Sequence, residues 1–314
     1  MYVGCKSSPW QYDNNYSKGA IMELIKLIQD NPNDYIEKLA DERIKISFGE
    51  DEFEGLAIFK YGILADFTDP IVKESRGVIL DIRNLNDIKV VCRAFDKFCN
   101  YGEAGADKID WATAQVQEKI DGSIMKLFYW NGKWRKATNG KIDAYQAPVG
   151  SSGKTFGELF DEVARFDSLN PEYTYIFELT SPYNRVVVDY GVKPDLWYLG
   201  SRENKTGREL ICLDMPIKRP KIYPFTNLDE CIEAASKLNI TGELVKKEGF
   251  VVVDDKYRRI KIKSPEYIML HHIIPNGEVS DEKLVELIRN GEIEELLVYI
   301  PSLQDRVNII RDRI

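Results

Sequence analysis

Histidine is almost missing from this chain: the 314 residues include two, His271 and His272. Neighbours in sequence diverge by about 100° on a helix, so this pair cannot share a metal on one face. Both read as surface or packing residues. The five cysteines, Cys5, Cys92, Cys99, Cys212 and Cys231, are odd in number and show no Cys-x-x-Cys spacing. This argues against zinc and for reduced thiols in a cytosolic protein. No apolar run approaches the ~20 residues that span a bilayer. The first residues, with Pro9, Gln11, Asp13 and Asn14, lack the basic start and apolar middle of a signal peptide. Cytoplasm is therefore the expected location, with no membrane partner. Positive charge is not in excess either. A net charge of −8 excludes a generic nucleic-acid coat, and nothing resembles a P-loop.

What is present is an ordinary globular composition, 44% hydrophobic and 30% charged. The 314 residues exceed what one core usually serves, so two domains are expected, one of them small. Ile21, Leu24, Ile25 and Ile28 have helical spacing, and Asn31-Pro32-Asn33 stops that helix and starts another reaching about Asp41. From Ile44 the texture turns to β, with runs at 44–48, 56–61, 76–82 and 88–94. A polar-aromatic linker, 95–103, follows. Further strands are expected at 124–130, 173–179, 185–188 and 196–199, and helices at 156–163 and 227–238. Residues 250–253 and 259–262 form a hairpin. Beyond Ser264 the chain reads as helical, with Ser280 as an N-cap. Residues 264–314 carry ten acidic and five basic side chains, a poor composition for gripping phosphates.

The stretch that organises the rest is Lys119-Ile120-Asp121-Gly122-Ser123, which stands before a hairpin turning at Asn131-Gly132. Alone, the match is unspecific, and a turn with an exposed lysine explains it equally. Two basic islands break the acidic background: Lys126, Lys133, Arg135, Lys136 and Lys141, then Lys256, Arg258, Arg259, Lys261 and Lys263. Either could be a solvated strand face or part of a phosphate site. Lys261 and Lys263 alternate on one strand and so share a face. Glu178 and Glu248 sit among apolar strand residues, where a carboxylate is costly unless paired or metal-bound; either could instead end its strand and face water.

The order of these landmarks is more specific than any one of them. Lys-Ile-Asp-Gly-Ser at 119, Phe-Glu at 177, Trp197 to Arg202, Glu-Gly-Phe-Val at 248 and Lys-Ile-Lys at 261 follow each other in a pattern that resembles the covalent nucleotidyltransferases, the ATP-dependent ligases and mRNA capping enzymes. Within that superfamily the chain looks like the phage-type RNA ligases of the first, tRNA-repairing kind. Glu74-Ser75-Arg76-Gly77, the linker Phe95 to Asn100, and Tyr267 carry this closer likeness, which covers about residues 44–267. In two places the chain departs. The family's second linker phenylalanine is Cys99 here, which removes an aromatic contact. Asn139 stands where many relatives have Arg or Lys, and Lys141 or Lys136 is the expected substitute.

The resemblance implies an α+β fold with an antiparallel-sheet, ATP-grasp-like ligase body, helices at the N-terminus and a small helical C-terminal domain. Residues 1–263 would be the adenylyltransferase domain, with a subdomain over about 1–110, and 264–314 the helical domain. It also implies ATP as cofactor, with Mg²⁺ (or Mn²⁺) held by Glu248. Lys119 would be the nucleophile, with Lys261 and Lys263 on the reacting phosphate. Glu178 would serve the ribose, and Arg76 and Lys97 the nucleotide or its pyrophosphate. Gln117, Asp121, Gly122 and Tyr267 complete the implied nucleotide-binding set. The expected partner is RNA with 5′-phosphate and 3′-hydroxyl ends, such as nicked tRNA, and a separate end-healing kinase/phosphatase. The chain would act as a monomer. The alternatives are an mRNA guanylyltransferase, a DNA ligase or a non-catalytic RNA-binding relative.

Overall fold

The computed structural model describes residues 22–62, 64–150, 152–166, 169–210, 215–238, 247–272, 280–299 and 301–314. Two short helices come first, α1 (Glu23–Asp30) and α2 (Tyr35–Asp41), and α1 turns Leu24, Ile25 and Ile28 inward. They cover a four-stranded antiparallel sheet whose strands, in spatial order, are β1 (Ile44–Phe48), β2 (Leu56–Tyr61), β3 (Arg76–Asp81) and β4 (Lys89–Cys92). Ala57, Phe59, Val78 and Leu80 pack toward the helices, while Ile58 and Ile79 pack toward a second sheet. Burial on both faces is why these strands read as unbroken apolar runs. A five-residue helix, α3 (Pro70–Glu74), precedes β3, and the Asp69 side chain at its N-cap accepts the Ile71 N–H. The sequence reading gives no helix here, because five residues are too few to show a period.

Among the described residues nine strands follow: β5 (Gln115–Lys119), β6 (Ser123–Trp130), β7 (Lys133–Thr138), β8 (Tyr173–Thr180), β9 (Asp195–Glu203), β10 (Glu209–Leu210), β11 (Ile222–Tyr223), β12 (Gly249–Val253) and β13 (Arg259–Lys263). Helix α4 (Phe156–Val163) lies between β7 and β8, and α5 (Leu228–Ser236) between β11 and β12. The second sheet runs β10-β9-β8-β6-β7 and the third β11-β5-β12-β13, each with antiparallel neighbours. Asn131 and Gly132, with φ of 47° and 75°, make the two-residue turn of the β6–β7 hairpin, the left-handed pair that matches strand twist. Helix α4 starts in a Thr155–Glu158 capping box and packs Leu159 and Phe160 on Phe177 and Tyr198 of the second sheet. Helix α5, capped by Asn227, lays Cys231 and Ala235 on Val116, Phe250, Val252, Ile260 and Ile262 of the third.

Residues 185–188 are not a strand. Val187 and Val188 donate their backbone N–H groups to Asp121 Oδ2, at 2.9 and 2.8 Å. A side chain far away in sequence thus takes the bonds a neighbouring strand would have taken. The C-terminal helices are α6 (Pro265–His272), α7 (Asp281–Asn290), α8 (Ile293–Tyr299) and α9 (Gln304–Arg311). Ser280 caps α7 as expected. Leu284, Leu287, Ile288, Leu296 and Val307 share a core with Tyr267, Ile268 and Val188.

Cys92, Cys99 and Cys231 are buried free thiols. Cys5 and Cys212 lie outside the described residues, as do the side chains of His271 and His272. Among the described residues no helix is long and apolar enough to cross a membrane.

Candidate active site

Lys119 is the last residue of β5, and the register of the third sheet sets it opposite Gly249, which in turn lies opposite Lys263. One step back, Gln117, Val251 and Lys261 form the next rank. Directly paired residues share a face, so both ranks project to the same side of the sheet. Gly249 has φ of +151°, and a Cβ there would fall 2.1 Å from the Ile262 carbonyl oxygen. Only glycine lets β12 and β13 close this tightly. Glu248 leads into the rank: Lys119 Nζ donates to its Oε2 at 2.6 Å, and Lys263 Nζ is 3.5 Å from its Oε1. Glu248 is 2% exposed, a burial its two ammonium neighbours offset.

Three residues join Lys119 to Ser123, the first residue of β6 in the other sheet, so the lysine stands at the seam of two sheets. Gly122 passes β8 so closely that a Cβ would meet the Leu179 carbonyl oxygen at 2.5 Å. Asp121 locks the crossing. Besides the two N–H groups of 187 and 188, its carboxylate accepts the Tyr267 hydroxyl at 2.8 Å, and its own N–H donates to the Tyr190 hydroxyl at 2.9 Å.

Between the sheets lies a cavity. Gln115, Gln117, Lys119, Val251 and Lys261 form one wall. Ile124, Glu178 and Leu199 form the other, and Phe95 and Phe98 of the linker close it, with Arg76 beside them. The linker is zipped onto β13: the Lys261 N–H donates to the Cys99 carbonyl at 3.0 Å and the Tyr101 N–H to the Lys261 carbonyl at 2.9 Å. Phe98 carries two cations, with Arg76 Cζ and Lys261 Nζ each 5.1 Å from its centroid.

The charges are out of balance. Burial pushes Lys261 well below the ordinary lysine range, and Lys97, Lys119, Lys263 and Arg76 push it further down. Burial also raises the Glu178 carboxyl to about 7, with Lys119 pulling it down and Glu248 pushing it up. Such perturbed groups gathered in one cleft make it the candidate functional site.

Of the residues singled out from sequence, Arg76, Gln117, Lys119, Glu178 and Lys261 line the cavity. Glu248 and Lys263 join it through Lys119. Lys97 lines an adjoining cavity with Lys73 and Arg258, its Nζ 4.4 Å from the Phe67 ring centroid. Asp121, Gly122 and Tyr267 support the crossing instead of facing the cavity. The expected substitutes for Asn139 are elsewhere: Lys136 binds Asp161 at 2.6 Å, and Lys141 is exposed and outside the cavity lining. Arg135 pairs with Glu52 at 2.5 Å, so two members of the first basic island are met by distant acids. Sequence reasoning placed Arg259 in the second basic island but not in the implied site; it continues the alternation of Lys261 and Lys263 to the far end of the wall, held by Glu209 and stacked 4.1 Å from the Phe95 centroid. The same period-2 count would have found it.

The chain belongs to the RNA ligase family: a family model of that description matches residues 74–267. It is 37% identical over 263 residues to a protein of Autographa californica nuclear polyhedrosis virus described as a candidate bifunctional polynucleotide kinase/RNA ligase. That match takes in 76% of this chain and 36% of the viral protein, so the chain spans about a third of that relative's length. An RNA ligase of Rhodothermus phage RM378 is 28% identical, over 90% of this chain and 77% of the phage protein. Among solved structures, an archaeal ATP-dependent RNA ligase superposes with a TM-score of 0.54 over 92% of this chain and 77% of that one, at 14% identity. This last likeness is one of fold.

Proposed function

We propose that this chain is an ATP-dependent RNA ligase that works through a lysyl-AMP intermediate. The observation that carries the reading is the crowding of cations near Lys261: Arg76 and Lys119 line the same cavity, Lys263 meets Lys119 through Glu248, and Lys97 lines the adjoining cavity. That repulsion has no structural use, and an entering polyphosphate offsets it. The Lys119 amine attacks the α-phosphorus of ATP. A phosphorus–nitrogen bond forms, the bond to the bridging oxygen breaks, and pyrophosphate leaves. The ammonium must first shed a proton, and Glu248 already accepts a hydrogen bond from it. The cations of 261 and 263 neutralise the phosphate under attack. The base fits between Val251 on one wall and Ile124 and Leu199 on the other, and Glu178 takes a ribose hydroxyl. AMP then passes to an RNA 5′-phosphate, which frees Lys119. A 3′-hydroxyl displaces AMP and the strand is sealed.

A divalent cation, Mg²⁺ or Mn²⁺, fits this site sparsely. Among the described residues no group of three or more His, Cys, Asp or Glu could hold one, while Glu248 offers a buried carboxylate in contact with both lysines. This donor set suits an ion that keeps its waters and leans on substrate phosphates. Bound there, it would neutralise charge on the phosphates and the departing pyrophosphate.

We also propose residues 1–263 as the adenylyltransferase body and 264–314 as a helical domain that helps choose the RNA. Nicked tRNA and a separate end-healing enzyme remain the proposed partners, and a monomer the proposed state. The test is one gel: with α-labelled ATP the protein becomes covalently labelled, and with α-labelled GTP it does not. Labelling by GTP alone would favour a guanylyltransferase, and labelling by neither a non-catalytic relative.

A further inference from the structure

Arg76 reaches the cavity from a break in β3. The pairing of β2 with β3 runs Phe59 to Val78 and then Lys60 to Arg76, so Gly77 is left over as a bulge. Bulges bend a strand and re-aim its next side chain, often at an active site. Gly77 has φ of +73°, and a Cβ there would stand 2.7 Å from the Asn139 carbonyl oxygen and 3.0 Å from Lys126 Nζ. Lys126 is the unusual member of this group. It sits in the middle of β6, is 0% exposed, and donates its ammonium hydrogen bond to the Gly77 carbonyl. Among the described residues no carboxylate pairs with it. Its neighbours on that face are Phe128, Ala137 and Cys92 of the core between the first two sheets. A lone buried ammonium is costly, and burial accordingly lowers its pKa. A methionine would fill the same space without that cost. A core position that keeps the charge has a use for the hydrogen bond it makes.

We propose that Lys126 is a positioning residue: it pins the Gly77 bulge and so aims the Arg76 guanidinium into the nucleotide cavity across Phe98. Lys126 touches no substrate. It acts through one carbonyl, one residue away from the group it positions. The inference rests on the proposed ATP chemistry for its readout, so the experiment separates the two.

Lys126→Met, Lys126→Gln, Arg76→Ala and the double variant Lys126→Met/Arg76→Ala are compared with wild type. Each is assayed for self-labelling by α-labelled ATP and for the melting shift that ATP alone produces. Wild type that takes no label refutes the ligase reading, and the melting shifts then still judge Lys126. Arg76→Ala is expected to slow labelling on the order of a hundredfold. Lys126→Met should melt no lower than wild type yet lose most of that same factor, with a raised KM for ATP. Lys126→Gln keeps a donor for the Gly77 carbonyl and should recover part of the loss. The double variant should be no worse than Arg76→Ala, because the two changes remove one function. Effects that multiply, or a Lys126→Met protein that labels and responds to ATP like wild type, overturn the proposal. If Lys126→Met does not fold, Lys126→Gln in the same cycle with Arg76→Ala decides the question.

Discussion

Replacing Glu178 by glutamine separates what the burial of this carboxylate costs from what it is for. The carboxyl titrates at about 7 in the folded protein against 4.5 for an unburied glutamate, chiefly because of burial. Its folded pKa is raised, so between pH 4.5 and about 7 the native state holds the proton that the unfolded chain has released. Stability therefore falls as pH rises through that window and levels off above it. At 1.36 kcal/mol per unit, the penalty is about 3 kcal/mol at pH 8 and under about 1 kcal/mol at pH 5. Glutamine has nearly the same shape and no charge to bury. Urea unfolding should show Glu178→Gln more stable than wild type by up to about 3 kcal/mol at pH 8, with the gap mostly closed at pH 5. The same variant should label poorly with ATP, because the amide is a weaker acceptor for a ribose hydroxyl. A stability gap equal at the two pH values, or a variant less stable at pH 8, would refute the assignment of strain to this carboxylate.

Lys119→Ala should take no label from ATP while still sealing RNA supplied with a 5′-adenylate; labelling of that variant would remove the lysine from its role. Lys261→Ala and Lys263→Ala should each cut self-labelling severely, whereas Ile262→Val, on the α5 side of the sheet, should cost ~0.5–1.5 kcal/mol of stability and little activity. The reverse pattern would mean the strand register is wrong. Glu248→Gln should remain folded and lose activity that added Mg²⁺ or Mn²⁺ restores only in part; normal activity at low Mg²⁺ would reduce Glu248 to a structural partner of the lysines. Truncation before Ser280 should lower the melting midpoint, because Tyr267, Ile268 and Val188 lose their cover, with labelling by ATP surviving in the protein that stays folded. A folded truncation that cannot label would place these helices in the nucleotide site.

How far the sequence could be read depends on how local the cause is. Asn131-Gly132, Asn227 and Ser280 act on the few residues beside them, and the turn and both helix starts fall where they indicate. Lys261 and Lys263 share a face because a strand alternates, which needs no knowledge of the rest. The errors have distant causes. The β-branched run at 185–188 suits a strand, yet its N–H groups are claimed by Asp121, more than sixty positions upstream. The first basic island suits a phosphate site, yet Glu52 and Asp161 meet Arg135 and Lys136. Cys99, read as a lost aromatic contact, contributes its backbone carbonyl to β13. The side chain named the departure from the family, and the main chain did the work.

The four bonds at Asp121 make the loop after Lys119 and the C-terminal helices parts of one thermodynamic unit. Tyr267 and Val188 each touch that residue and are also members of the helical core. Free energy exchanged along this link is reciprocal. A ligand that steadies the loop next to Lys119 and one that steadies the helices would each strengthen the other's binding by the same factor. The C-terminal helices are therefore a reporter: a fluorophore on α7 or α9 would register a ligand that binds beside Lys119.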